Sequence, residues 1–285
     1  MEDCYMALAT ERIFLPMIKT VLPEITDYML PWEGVFHNIA VVAIEKEFPG
    51  HAVKVMNGLW GSGQMSFAKM LVMVDDASLL SDKPALMKHI LNTADLNSDI
   101  VLTKGILDVL DHSAEKPLHG SKLGIDATAR FEGEEKRSGG FIHGKMSQKK
   151  VEETAYSIEK KISRARIAFN ECRNRVILLT IKKDKKANSP YFIKKIKNSK
   201  ITGEGIIVLY DHEIDINNDS VLLWKIFNNV DPQRDIIQEK GIMIIDATKK
   251  GIADGHTREW PDDIEMSEDV VKKIDLLLKD NPHFK

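Results

Sequence analysis

The side chains able to do chemistry are scattered along the chain rather than gathered into one motif. Asp75-Asp76 pairs two carboxylates at the end of an apolar run. Adjacent strand residues point to opposite faces, so the two do not share one acid–base or metal site, and a turn role is expected. Asp211 and Asp215 stand at the equivalent edge later in the chain. His112 and His119 flank Asp111, which supplies metal-ligand types without the spacing of a helical or hairpin site. His143, His212 and His256 read as isolated and exposed. Gly61-Ser-Gly-Gln64 could offer backbone amides to a phosphate. It lacks the Lys-Ser/Thr ending of a P-loop and follows a helix instead of a strand, so taken alone it is a turn. Cys4 and Cys172 form no Cys-x-x-Cys pair and no metal spacing. No Ser-His-Asp or Cys-His arrangement is visible.

The elements that would position these residues come twice. Asp99-Ile-Val-Leu-Thr-Lys-Gly-Ile-Leu-Asp-Val-Leu-Asp111 is echoed by Asp235-Ile-Ile-Gln-Glu-Lys-Gly-Ile-Met-Ile-Ile-Asp246. Each reads as a strand, a Lys-Gly break and a second apolar run. Upstream, Leu86–Asp95 matches Leu222–Asp231, pairing Asn92 with Asn228, Asp95 with Asp231 and Gly105 with Gly241. Asp-Ala-Thr also occurs twice, at Asp126 and Asp246. Two copies are too few for a solenoid, so two related subdomains are expected. Apolar runs at 37–44, 69–76, 175–181 and 205–211 predict buried strands. Helical spacing predicts helices over 6–21 with Pro16 interrupting, 49–60, 81–93, 190–198, 219–229 and 267–278. Residues 118–140 read as a loop, and 146–171 as the longest helix, joining the copies. The fold class is α/β, with two related α/β subdomains whose mixed sheets are covered by helices. The division expected is 1–140 and 141–285, the second a degenerate copy ending in a helix.

Composition narrows the class. The 285 residues are 43% hydrophobic with a net charge of −3, as in an ordinary globular protein. Acids exceed bases before residue 140 and bases exceed acids after it. The basic run Lys182–Lys200 carries no stacking aromatics in a recognisable RNA-binding pattern and reads as a solvated loop and helix face, so no nucleic-acid partner is expected. No apolar run is long enough for a membrane span and no signal peptide opens the chain. With two unpaired cysteines, a reducing cytoplasm fits best. The apolar residues Ile106, Leu107, Val109 and Leu110 are by their type core residues. From the residues alone, the chain is an α/β protein without a self-contained active site.

A longer set of residues resembles the C-terminal part of the UbiD decarboxylase family. The set comprises Ala7–Lys19, Leu22-Pro-Glu-Ile-Thr-Asp27, Leu30-Pro-Trp-Glu-Gly34, Ala40–Ile44, Pro49-Gly-His-Ala52, Val55–Trp60, Phe67–Asp76, Gly120–Thr128, Thr257–Trp260 and Asp269–Asp275. The resemblance implies an aromatic acid carboxy-lyase of 4-hydroxybenzoate type, of the kind used in quinone biosynthesis. Its cofactor would be prenylated FMN with a divalent metal. The cofactor fold, metal ligands and catalytic Glu-Arg-Glu group belong to an N-terminal flavin-binding region. The Pro-Glu-Gly-Pro run that marks that region does not occur here. The chain is therefore expected to be a C-terminal piece, inactive alone, with no catalytic residue, metal ligand or bound cofactor of its own, and to work with that N-terminal region as partner. By resemblance, Met6 and Ile106-Leu107-Asp108 would line the substrate pocket, Asp108 standing where some members have an apolar residue. Ser62 and Gln64 would lie near the cofactor edge. The last helix, Val270–Leu278, would build a homodimer or higher oligomer. A cytoplasmic location follows, with peripheral membrane contact left open. The alternative is a non-catalytic oligomerisation or assembly module.

Overall fold

The computed structural model describes the chain except residues 1, 138–143, 200, 202–204, 240, 264–265 and 281–285. It holds two five-stranded mixed sheets of identical design. Sheet one contains β1 (Ile25–Met29), β2 (Ile39–Ile44), β3 (Met70–Val74), β4 (Ile100–Ile106) and β5 (His119–Asp126), in the order β1-β2-β3-β5-β4. Sheet two contains β6 (Ile162–Ala168), β7 (Val176–Ile181), β8 (Gly205–Asp211), β9 (Ile236–Glu239) and β10 (Ile242–Asp246), in the order β6-β7-β8-β10-β9. In each, the two edge strands run antiparallel to neighbours that are otherwise parallel. Each first strand even carries an irregularity at the same place, Ile25/Asp27 and Ile162/Arg164.

Strands β2, β3 and β7 are buried at every position. Alternate side chains therefore need cover on both faces. On the outer face of sheet one, α1 (Glu2–Val21) and α2 (His51–Trp60) cover Ala40, Val42, Ile44, Leu71 and Met73. On the outer face of sheet two, α4 (Gln148–Ile158) and α5 (Ser189–Lys197) cover Ile177, Leu179, Ile207 and Ile244. The inner faces meet each other. Val41, Val72 and Leu123 share one core with Leu178, Val208 and Ile245, together with Leu86 and Leu91 of α3 (Lys83–Thr93) and Leu222 of α6 (Asp219–Asn229). Asparagines stitch this seam. Asn38 donates to Asn228 Oδ1 at 2.8 Å, and Asn228 donates to Glu33 O at 2.9 Å. In the opposite sense Asn174 donates to Ala94 O at 2.7 Å.

Three sequence expectations are corrected. Residues 119–126 are a strand, not loop; β5 is an inner strand that buries Ser121 and Lys122, so it shows no apolar alternation. The 146–171 pattern is not one helix. It stops at Ile158 and continues as edge strand β6, whose charged, half-exposed residues imitate a helical surface. The echo also shifts register. Gly105 lies inside β4, whereas Gly241, at φ +80°, makes the turn between β9 and β10. The partner of β10 is β5: Thr128 and Thr248 each donate to the Asp two residues before them at 2.6 Å. Copy one inserts a longer excursion between its last two strands.

Because the seam is common property, urea should unfold both copies in one transition. Fluorescence from Trp32, Trp60, Trp224 and Trp260 should coincide with the circular-dichroism curve. Asn228→Ala leaves Asn38 unpaired in the seam and should lower stability by about 1–3 kcal/mol without splitting the transition.

Candidate functional site

α1 is apolar on most sides, and only part of it is covered. Tyr5, Ile13, Met17 and Val21 are exposed. Polar residues pin the helix to the chain around β1. Buried Glu11 accepts from Leu30 N at 2.6 Å, while Arg12 reaches Asp27 at 2.7 Å and Tyr28 O at 3.0 Å. Burial raises the Glu11 carboxyl above its usual range, and it pushes the Tyr28 phenol up to about 12. Between α1 and the 3-10 turn Gly63–Phe67 lies a groove of about 290 Å³. Phe14, Met17, Leu30, Phe36 and Met65 give it apolar walls. Thr10, His37, Ser62, Gln64 and Asp108 supply its polar groups.

Beside this groove, copy one buries charge at strand positions that copy two fills without it. Lys69, fully buried, donates to Asp111 Oδ2 at 2.7 Å and Ser113 Oγ at 2.9 Å. Burial alone would raise the Asp111 carboxyl, but the Lys69 charge and hydrogen bonds from Lys69, Ser113 and Ala114 N hold it below the usual range. Lys122, also buried, donates to Ser66 O at 2.7 Å and Ala68 O at 2.8 Å. Burial brings its ammonium down to about 8, against the attraction of Asp111. His37 is kept neutral by burial, which outweighs the pull of Asp108. The loop carrying Phe36 and His37 is strained. Val35 and Phe36 both take φ +49°, a left-handed conformation costly for side chains with a Cβ, above all a branched one.

The structure brings Ser62, Gln64 and Asp108 together on this groove. It does not bring Met6, Ile106 or Leu107 there. Met6 stands on exposed α1, Ile106 is 46% exposed at the end of β4, and Leu107 is buried against Gly120 and Ala114. Asp75 accepts from Ala129 N and Asp76 caps a turn. His112 packs edge-on to Trp260 and contacts Asn229. His256 is not exposed: it is 1% accessible, held by Arg234 and packed against the same Trp260. His143 lies outside the described residues. Among the described residues, no group of three His, Cys, Asp or Glu side chains is placed to hold a metal. Sequence reading missed His37, Phe36 and the α1 wall. His37 opens the apolar run of β2 and carries no motif of its own.

The profile of the 3-octaprenyl-4-hydroxybenzoate carboxy-lyase C-terminal domain matches residues 4–127 and 154–255, so one matched segment covers each sheet. The chain belongs to this family, the UbiD carboxy-lyases, through that domain. An uncharacterised protein of Helicobacter pylori strain J99 is 34% identical over 98% of this chain and 44% of its own length. One from Archaeoglobus fulgidus is 45% identical over 47% of this chain and 28% of its own length. The chain thus spans less than half of the curated relatives it matches. Among solved structures, the UbiD-class enzyme HmfF of Pelotomaculum thermopropionicum in complex with FMN aligns at 23% identity and TM-score 0.40, covering 50% of this chain and 30% of that one. Vanillic acid decarboxylase of Sedimentibacter hydroxybenzoicus aligns at 19% and 0.45 over the same shares.

His37, His112 and His256 are each held neutral chiefly by burial, with Arg234 adding to the effect at His256. Their folded values lie below the ordinary value of about 6.5. The stability tied to them is complete above that value and is lost as pH falls through it toward the folded values. A urea midpoint that holds from about pH 8 to 7 and then declines below about 6.5 is expected. His256→Phe should flatten part of that decline.

Proposed function

We propose that this chain is the C-terminal part of a UbiD-type, prenylated-FMN-dependent decarboxylase that removes carbon dioxide non-oxidatively from an aromatic acid of the 4-hydroxybenzoate class, as in quinone biosynthesis. The observation that carries this reading is the groove under α1. It combines apolar walls from Phe14, Met17, Leu30, Phe36 and Met65 with a few polar groups, beside the exposed apolar residues Ile13, Met17 and Val21 of α1. A small number of fixed polar groups in an apolar cleft is the usual form of a site for a small organic ligand.

The residues present fit one apolar side of an aromatic substrate. They do not fit the cofactor's phosphate or a divalent metal, because no lysine or arginine lines the groove and no cluster of ligands stands near it among the described residues. Those groups, and the proton-transferring carboxyl, would come from an N-terminal flavin-binding region lying over α1. What this chain supplies is exclusion of water by Phe14, Met17 and Phe36, and hydrogen-bonding capacity from Ser62, Gln64 and His37. No helix among the described residues is long and apolar enough to cross a membrane.

The last helix, α8 (Glu268–Asp280), supports an assembly role beside this one. Val270, Val271, Ile274, Leu277 and Leu278 are all exposed on it, a stripe left uncovered among the described residues. In our reading it meets a second copy. Copy two, whose outer face is filled by α4 and α5, would then serve the scaffold more than the chemistry.

Two experiments test these claims. A separately expressed flavin-binding region of the family, loaded with prenylated FMN, should release carbon dioxide from an aromatic acid only when this chain is added. Full activity without the chain removes the pocket-wall role. Ile274→Lys with Leu277→Lys should convert an oligomer to a monomer in light scattering; an unchanged mass would exclude α8 from the interface.

A further inference from the structure

The duplication provides an internal control for what the fold itself requires. By strand register, Lys69 and Lys122 of sheet one correspond to Gly205 and Ile242 of sheet two. Both lysines are buried, at 0% and 1% exposure. Burying an ammonium is costly, and the second copy builds the same pair of strands without either one. Lys69 is neutralised by Asp111 at 2.7 Å. Lys122 makes no ion pair among the described residues. Its three donors are turned instead toward the Ser66 and Ala68 carbonyls, beneath the Trp60 ring at 6.0 Å. These carbonyls close the 3-10 turn Gly63–Phe67, where helical geometry leaves acceptors without partners. Trp60 Nε1 donates to the same Ala68 oxygen at 3.1 Å. The path of the lysine is cleared by Gly105, where a Cβ would stand 2.7 Å from Lys122 Cε. That glycine, which looks like a break in the sequence, is room for a side chain from the next strand.

We propose that Lys122 is a positioning residue of the groove: its ammonium, threaded past Gly105, gathers the Ser66 and Ala68 carbonyls and so fixes where the turn presents Ser62 and Gln64. The claim rests on reading the groove as the ligand site. Hydrogen bonds from a charged donor are about twice as strong as neutral ones, and an apolar residue such as copy two's Ile242 could make neither. Lys69 of β3 and Asp111 of the 107–118 excursion are the charged groups facing Lys122; α2 contributes the Trp60 ring and β4 the bare backbone of Gly105. The charge is present at neutral pH and is lost as pH rises above about 8.

The test is amide hydrogen exchange on the full chain, comparing the 58–68 segment with β3 and β5 and correcting for intrinsic rates. In Lys122→Met at about pH 7, the turn should exchange about tenfold faster than in the unmodified chain, with both strands still protected. In the unmodified chain the same loosening should set in between about pH 7 and about pH 9.5, while Lys122→Met shows no further change. Equal turn protection in both proteins at neutral pH overturns the proposal, as does turn protection that ignores pH in the unmodified chain. Should Lys122→Met fail to fold, Gly105→Ala, which crowds the Lys122 stem, and the pH series carry the same decision. Affinity of the full-length protein for 4-hydroxybenzoate separates the two claims. A turn that loosens while affinity stays constant upholds the positioning and overturns the groove as the ligand site.

Discussion

Everything in this molecule depends on sheets that are apolar on both faces. A strand such as β2, with Ile39, Val41 and Ala43 on one side and Ala40, Val42 and Ile44 on the other, has no solvent side. Helices α1 and α2 of its own copy cover one face, and the second face packs against α3 and the other copy. The seam is therefore the condition for either half to be folded, and the Asn38–Asn228 pair, with Asn174 on the Ala94 carbonyl, sets how the halves sit. Polar groups buried in an apolar seam fix orientation because any other arrangement would strand them.

That arrangement explains where the costly features lie. Copy two keeps the Asp-Ala-Thr turn and the strand order but fills its outer face with Phe192, Ile196 and Val151, and it places Gly205 and Ile242 where copy one has lysines. Copy one carries two buried ammonium groups, a buried Asp111, consecutive left-handed residues at Val35 and Phe36, and an unfilled groove. Each of these lowers stability, and all lie close to one another. Copy two buries charge as well, at Lys225, Lys250 and Asp246, but not at these two strand positions. The matched family profile covers both halves.

Much of the fold was legible from residues. Continuous apolar runs marked β2, β3, β7 and β8 because strands buried on both faces have no other way to look. Helical spacing from residue 81 marked α3, which Asp82 caps by accepting from Ala85 N at 3.0 Å. β5 was invisible for the reason that makes it interesting: it fills an inner position with Gly120, Ser121, Lys122 and Gly124, whose burial is bought by specific partners and not by hydrophobicity. The site was half legible. Ser62, Gln64 and Asp108 came from resemblance to known relatives and do converge, but His37 sits at the mouth of an apolar run and Phe36 owes its place to an unusual backbone angle. Periodicity reports burial and does not report which buried residue turns toward a cleft.

The Lys-Gly dipeptides at 104–105 and 240–241 show how one sequence pattern can serve two physical ends. In copy two, glycine supplies a left-handed turn that reverses β9 into β10. In copy one the strand runs straight through, and the absent Cβ admits Lys122. The strand then lengthens into the 107–118 excursion, which returns Asp111 to Lys69 and leaves Asp108 on the groove. The same excursion gives Asp111 and Ala114 carbonyls to Arg258 and sets His112 against Trp260, so the chain's C-terminal segment is tied to copy one through it. This excursion within copy one thus joins the copies in space, where Arg234 donates to Ser113 O and Ser113 donates to Val230 O. The two halves of a duplicated fold therefore differ most at one connection, long in copy one and a short hairpin in copy two, and that difference places Asp108 on the groove.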